Sequence, residues 1–201
     1  MNSNFMIIDG TPIAIEGEKN LLELIRKAGI DLPTFCYYSE LSVYGACRMC
    51  MVENKWGGME AACSTPPRAG MEIKTNTPKV QAARRTTLEL LLSTHDKKCL
   101  SCVRSTNCEL QKMCRDYGIE DSGKYDGFKP TYAVDASAAH LVRDNNKCIL
   151  CRRCVGACSN VQGIGVIGPN NRGFASHIGC AFDQDLNDVA CISCGQCIVA
   201  C

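Results

Sequence analysis

Near the N-terminus the apolar positions change period repeatedly, and each change marks an element. The run Phe5-Met6-Ile7-Ile8 breaks at Asp9-Gly10 and resumes from Pro12 to Ile15, which predicts two strands joined by a tight turn. From Asn20 to Ala28 the period shifts to that of a helix. Leu21, Leu24, Ile25 and Ala28 share one face, and Gly29 follows as a stop. Strands are predicted again around Cys50 to Glu53 and Met59 to Ala62, separated by the turn Trp56-Gly57-Gly58, with a last one from Met71 to Thr75. Two strands, a helix and further strands is the order of a β-grasp domain.

Thr77-Pro78 opens the clearest helix, with Thr77 as N-cap and Pro78 at the first helical position. It is predicted to run to about Ser93 with Val80, Ala83, Leu88, Leu91 and Leu92 on its apolar side. Arg84-Arg85 is expected on the solvated face. A shorter helix is predicted from Asn107 to Tyr117. Residues 118–140, rich in Gly, Asp, Ser and Ala, read as a connector. Farther on, Ile164 to Ile167 and Phe174 to Ile178 flank Asn170-Asn171-Arg172-Gly173, a predicted hairpin. The expected class is α+β. The expected divisions are a β-grasp domain at 1–77, a helical segment with its connector at 78–140, and a repeat-built domain at 141–201.

Charge and composition narrow the function classes. The 201 residues carry 22 Lys+Arg and 21 Asp+Glu, a formal charge of +1, so nucleic acid and anionic membrane surfaces are not expected partners. No apolar run has the length of a membrane span, and no basic segment followed by an apolar stretch opens the chain. Membrane insertion is therefore not expected, and a cytoplasmic location is. The unusual figure is 17 cysteines. An odd count, clustered in tight triplets without a secretory leader, argues against a disulfide scaffold and for metal.

Two segments carry three cysteines in successive x2 steps and a fourth after x3: Cys148-x2-Cys151-x2-Cys154-x3-Cys158 and Cys191-x2-Cys194-x2-Cys197-x3-Cys201. The second repeats the first at a fixed offset. Structural zinc sites use separated pairs. Three thiolates from one tight loop suit three corners of an iron–sulfur cubane, the fourth cysteine ligating the other cluster. One 4Fe–4S cluster is thus assigned to Cys148, Cys151, Cys154 and Cys201, and another to Cys158, Cys191, Cys194 and Cys197.

Two looser groups precede these. Cys36-x10-Cys47-x2-Cys50-x12-Cys63 suits a 2Fe–2S cluster, although its first gap departs from the x4 of plant-type ferredoxins. In His95-x3-Cys99-x2-Cys102-x5-Cys108, three cysteines and a histidine suit either zinc or a 4Fe–4S cluster. Cys114 competes with His95 for the fourth place. Cys114 and Cys180 otherwise read as buried small hydrophobes, and His140 and His177 as structural. Gly163-Ile-Gly165-Val-Ile-Gly168 matches a dinucleotide fingerprint only superficially, because no helix pattern follows it.

Taken in order, these motifs resemble the N-terminal iron–sulfur region of FeFe-hydrogenases. They equally resemble the start of the large iron–sulfur subunit of respiratory complex I and of some NAD-linked formate dehydrogenases. The carriers of the likeness are His95-x3-Cys99-x2-Cys102-x5-Cys108 and Cys191-Ile-Ser-Cys194-Gly-Gln-Cys197. The resemblance spans essentially the whole chain. It implies that the His95 group holds a 4Fe–4S cluster, giving one 2Fe–2S and three 4Fe–4S clusters that relay single electrons. It further implies a hetero-oligomer with a flavin- and NAD(P)H-binding subunit, a small Fe–S subunit and ferredoxin, as in electron-bifurcating complexes. In the family a catalytic domain follows the last cysteine. Its ligands are not among these residues, so no complete catalytic site is expected here. The alternative is the relay portion of an FeFe-hydrogenase or formate dehydrogenase.

Overall fold

The computed structural model describes residues 4–120, 123–125 and 128–201. It divides into two compact units, one formed by the chain up to Phe35 with Cys47–Leu88, the other by Cys36–Ala46 with Glu89–Cys201. Among the described residues no helix is long and apolar enough to cross a membrane.

The first unit is built on a mixed sheet. Strands β1 (Phe5–Ile8) and β2 (Thr11–Ala14) form an antiparallel hairpin. Its turn residues Asp9 and Gly10 both have positive φ, 49° and 85°, the combination that matches hairpin twist. Strands β3 (Met51–Asn54), β4 (Met59–Ala61) and β5 (Glu72–Lys74) complete the order β2-β1-β5-β3-β4. β5 runs parallel to β1, with Ile8 opposite Ile73, and antiparallel to β3. Asp9 fixes the end of this register, accepting from the Thr75 N–H at 2.7 Å and its hydroxyl at 2.5 Å.

Helix α1 (Leu21–Lys27) starts where Asn20 accepts the Glu23 N–H at 3.0 Å and Glu23 accepts the Lys19 N–H at 2.8 Å, which partners two N–H groups at the helix start. Leu21, Leu22, Leu24 and Ile25 are fully buried, as are Met6, Val52 and Ile73. Each contributes about 1.5–3 kcal/mol by leaving water. The expected α+β, β-grasp architecture is the one found, with strand and helix ends displaced by a residue or so.

Helix α2 (Pro78–Thr94) is capped by the Thr77 hydroxyl, which accepts the Val80 N–H at 3.2 Å. Here one expectation is corrected. Arg85 is exposed, but Arg84 is buried at 3% exposure between Val80 and Leu88 on the helix's inward stripe. Its guanidinium donates to the carbonyls of Met49 (3.0 Å), Met51 (2.8 Å) and Thr75 (3.0 Å). Met51 opens β3 while Met49 and Thr75 lie just outside β3 and β5, and a buried carbonyl without a donor is costly.

In the second unit a 3₁₀ turn at Cys99–Ser101 precedes helix α3 (Glu109–Asp116). Residues 121–122 and 126–127 of the expected connector lie outside the described residues. The connector's later part is held by Asp135, which pairs its backbone with Arg143 and accepts at its carboxylate from Ser137, Arg143 and Leu186. Helix α4 (Arg153–Gly156) passes into a wider turn at Ala157–Val161, and helix α5 (Gln196–Ala200) packs against α4.

The expected hairpin exists with shifted strands, β6 (Gly168–Asn170) and β7 (His177–Gly179). Phe174 is exposed in a short 3₁₀ turn, while Ile167 is buried in the core just before β6 instead of pairing within it. That core consists of Leu141, Ile167, Ile178, Cys180 and Leu186.

Candidate iron–sulfur centres

Cys47, Cys50 and Cys63 belong to the first unit and are all buried. The Ala62 N–H donates to the Cys50 carbonyl at 3.0 Å, which sets Cys63 next to the Cys47–Cys50 loop. That loop bends through Arg48, which has positive φ, and the Phe35 N–H points at the Cys47 sulfur at 3.3 Å. The Arg84 bonds to Met49 and Met51 hold the backbone on both sides of Cys50. Cys36, the expected fourth member, is also buried but falls in the 36–46 segment of the second unit.

His95 follows the last residue of α2, Cys99 opens the 3₁₀ turn and Cys102 closes it. Cys108 is the N-cap of α3, and its sulfur accepts from the Gln111 N–H at 3.5 Å. All four side chains line one cavity of about 600 Å³, and Cys114 lines it as well. His95 Nδ1 is buried without a hydrogen-bond partner among the described residues. Burial holds the imidazole below its ordinary pKa and so favours the neutral, ligating form. Lys129 Nζ fixes the His95 backbone, donating to its carbonyl at 2.8 Å. Soft sulfur donors, a neutral imidazole and an orphaned nitrogen at a cavity of this size fit a bound iron–sulfur cluster.

The two quartets show their repeat in backbone conformation as well as in spacing. Leu150 and Arg152 have φ of 56° and 64° in the first; Ser193 and Gly195 have φ of 51° and 76° at the matching places in the second. Helices α4 and α5 likewise begin one residue before the third cysteine of each quartet. Alternating left- and right-handed residues turn successive N–H groups inward, which makes a concavity for an anion. The Leu150 N–H donates to the Cys148 sulfur at 3.3 Å.

The fourth cysteines cross between the halves. Cys158 lines a small cavity of about 30 Å³ with Cys191, Cys194 and Cys197, walled by Leu141, Ile167 and Leu186. On the other side, burial and then the neighbouring thiols of Cys148, Cys151 and Cys201 push the Cys154 thiol up to about 12. Burial likewise raises Cys148 to about 11, with Cys151 and Cys201 adding to it and the Leu150 amide opposing it. Bare thiols here are protonated at neutral pH, so metal loading releases protons. Among the described residues no group of three or more His, Cys, Asp or Glu converges on a single-ion point.

His177 is hydrogen-bonded to Asp183 (2.8 Å) and to the Ala175 carbonyl (3.0 Å), and it stacks against Tyr132. His140 is exposed. The buried Cys180 accepts from Arg143 at 3.6 Å. The functional residue that sequence reasoning missed is Arg84, because its three acceptors are remote in the chain. The one signal was a charge in register with Val80 and Leu88.

Residues 5–78 match the 2Fe-2S iron-sulfur cluster binding domain, and residues 84–123 match the NADH-ubiquinone oxidoreductase-G iron-sulfur binding region. The chain is 40% identical over 200 residues to NADP-reducing hydrogenase subunit HndD of Solidesulfovibrio fructosivorans, covering 96% of this chain and 34% of that protein. It is 38% identical over 176 residues to the mitochondrial NADH dehydrogenase [ubiquinone] iron-sulfur protein 1 of Solanum tuberosum, covering 87% and 24%. A chain in the crystal structure of NAD+-reducing [NiFe]-hydrogenase in the H2-reduced state superposes with a TM-score of 0.86 at 32% identity, over 95% of this chain and 81% of that one. The chain therefore spans about a third or less of these curated relatives but most of the structural one. One 2Fe–2S domain and a 4Fe–4S binding region are established by these matches. The chain belongs to the complex I-like family of large iron–sulfur electron-transfer subunits that NADH-ubiquinone oxidoreductases share with hydrogenases.

Proposed function

We propose that this chain relays single electrons through one 2Fe–2S and three 4Fe–4S clusters within a cytoplasmic oxidoreductase complex. The 2Fe–2S cluster is assigned to Cys36, Cys47, Cys50 and Cys63. The 4Fe–4S clusters are assigned to His95, Cys99, Cys102 and Cys108; to Cys148, Cys151, Cys154 and Cys201; and to Cys158, Cys191, Cys194 and Cys197. Electrons pass between a flavin- and NAD(P)H-binding partner and either ferredoxin or a catalytic site, in an assembly of the bifurcating kind with a small Fe–S subunit. The observation that carries this reading is the interleaving of the quartets, Cys158 beside Cys191, Cys194 and Cys197, and Cys201 beside Cys148, Cys151 and Cys154.

When bound, each cluster supplies a one-electron couple. The protein's own groups hold the sulfurs, exclude water and direct N–H groups at them. The Phe35, Gln111 and Leu150 amides do so at Cys47, Cys108 and Cys148. A neutral imidazole at His95 in place of a thiolate removes one negative charge and raises the potential of that centre relative to an all-cysteine one.

Anaerobic reconstitution with iron and sulfide tests the assignment. Full loading gives about fourteen iron atoms per chain, and His95→Ala alters one reduced-cluster EPR signal only. A chain that takes up zinc and stays colourless overturns it. A second reading, the relay portion of a larger FeFe-hydrogenase or formate dehydrogenase, is favoured by the 34% coverage of the hydrogenase relative. The intact mass of the native subunit decides between them. A mass matching 201 residues, with a co-purifying flavoprotein, supports the dedicated relay, and a much larger one supports the hydrogenase reading.

A further inference from the structure

The cavity beside α3 has five donors for the four corners of a cubane. His95, Cys99, Cys102 and Cys108 account for four, and Cys114 is the fifth. Cys114 is not a peripheral thiol. It lies on α3 with Gln111 and Arg115, residues at helical spacing that line the same cavity, and only 9% of its surface is exposed. Its thiol is close enough to Cys108 and Cys99 for their charges, after burial itself, to push it up. The donor it would replace is the one non-sulfur member of the ring, whose Nδ1 has no hydrogen-bond partner among the described residues.

We propose that Cys114 is an alternate fourth ligand of the 4Fe–4S cluster in this cavity, taking the corner of His95. The proposal rests on the assignment of His95 made above. With the His95 side chain absent, an iron–sulfur bond to Cys114 would form at the corner left open and the Cys114 thiol proton would pass to solvent, so no oxidant or reductant is needed. Iron prefers thiolate to imidazole in such sites. His95 is taken as the native donor because its buried Nδ1 has no hydrogen-bond partner among the described residues. The site is therefore held by His95 while that side chain is present, and Cys114 takes its place when it is removed.

The test uses the full chain, reconstituted anaerobically with iron and sulfide, in four forms: wild type, Cys114→Ala, His95→Ala and the double variant. Iron content and reduced-state EPR are read for each. Cys114→Ala is expected to match wild type in both. His95→Ala is expected to keep the full iron complement while the EPR signal of one cluster shifts. The double variant is expected to lose that signal, with at least one iron gone. A His95→Ala protein that loses iron as fully as the double variant would show that Cys114 does not ligate. A double variant indistinguishable from His95→Ala would overturn the proposal too. A His95→Ala spectrum identical to wild type would instead remove His95 from the ligand set, the distinct failure of the underlying assignment, and the exchange with it. Cys114→Val, which fills the thiol's volume, repeats the arms so that a cavity in the fold is not mistaken for a lost ligand.

Discussion

At the scale of single residues, two buried charges do structural work that spacing alone does not display. Arg84 satisfies three carbonyls, two of them flanking Cys50 and one at the end of β5. Arg84→Met preserves length and apolar stem but leaves those acceptors without their charged donor. It is expected to destabilise the first unit by about 3 kcal/mol, measured by urea unfolding of the apo chain. Its effect on the holo protein should appear as a broadened 2Fe–2S EPR signal, since the loop carrying Cys47 and Cys50 loses its brace. Asp135 is the second case. Burial raises its carboxyl, but Ser137, the Leu186 amide and Arg143 outweigh burial and hold it below the ordinary 3.8. A carboxyl depressed in the folded state contributes its stability above the unfolded value, and that contribution is lost as pH falls through the folded one. Thermal melts below pH 4 should therefore fall steeply for the native chain and more gently for Asp135→Asn, which should already be weaker by about 2 kcal/mol at pH 7. Neither role was legible in the sequence, because the partners of Arg84 and Asp135 are set by the tertiary fold.

At the scale of elements, legibility depended on whether a local rule governed the outcome. Asp9-Gly10, Asn20 with Glu23, and Thr77-Pro78 each carry their own turn or cap chemistry, and the structure ends its elements there. The β6–β7 hairpin was misplaced by several residues because Ile164, Val166 and Ile167 read as a strand while Ile167 is claimed by the core. The quartet loops are an intermediate case. Their spacing announced a repeat, but nothing about Leu150 or Arg152 suggests positive φ. The repeat predicts unequal responses to substitution. At Gly195 no neighbouring atom opposes a Cβ, so Gly195→Ala costs only its backbone strain, about 1 kcal/mol. Arg152→Gly relieves the matching strain but frees the unfolded chain, so the two effects offset to within about 0.5 kcal/mol. Chemical denaturation of both variants checks the pair; equal losses would mean that the two loops do not share a conformation.

At the scale of the whole molecule, cysteine chemistry and stability are coupled. The composition gave a nearly neutral chain with 17 cysteines. Loading the four oxidised clusters of the proposed assignment would add roughly −7, so the holo protein should then run as an acidic species while the apo chain stays near neutral. The same ligands also bind distant chain segments together. In the proposed assignment the other cubane already ties Cys158 to Cys191, Cys194 and Cys197, so Cys201, by joining Cys148, closes a remaining loop of about 15 residues, a constraint on the unfolded chain of about 3 kcal/mol. Cys151 ligates the same cubane from inside the first triplet, so removing it leaves that loop closed. On burial alone the opposite order would be expected, because Cys151 is buried and Cys201 is exposed. Cys201→Ala is therefore expected to lower the thermal midpoint of the holo second unit by more than Cys151→Ala does. Removing iron by chelation should abolish the difference. A lower midpoint for Cys151→Ala would place the stabilising effect in side-chain packing and leave Cys201 outside the cluster; a persistent gap after chelation would place it in the protein's own contacts.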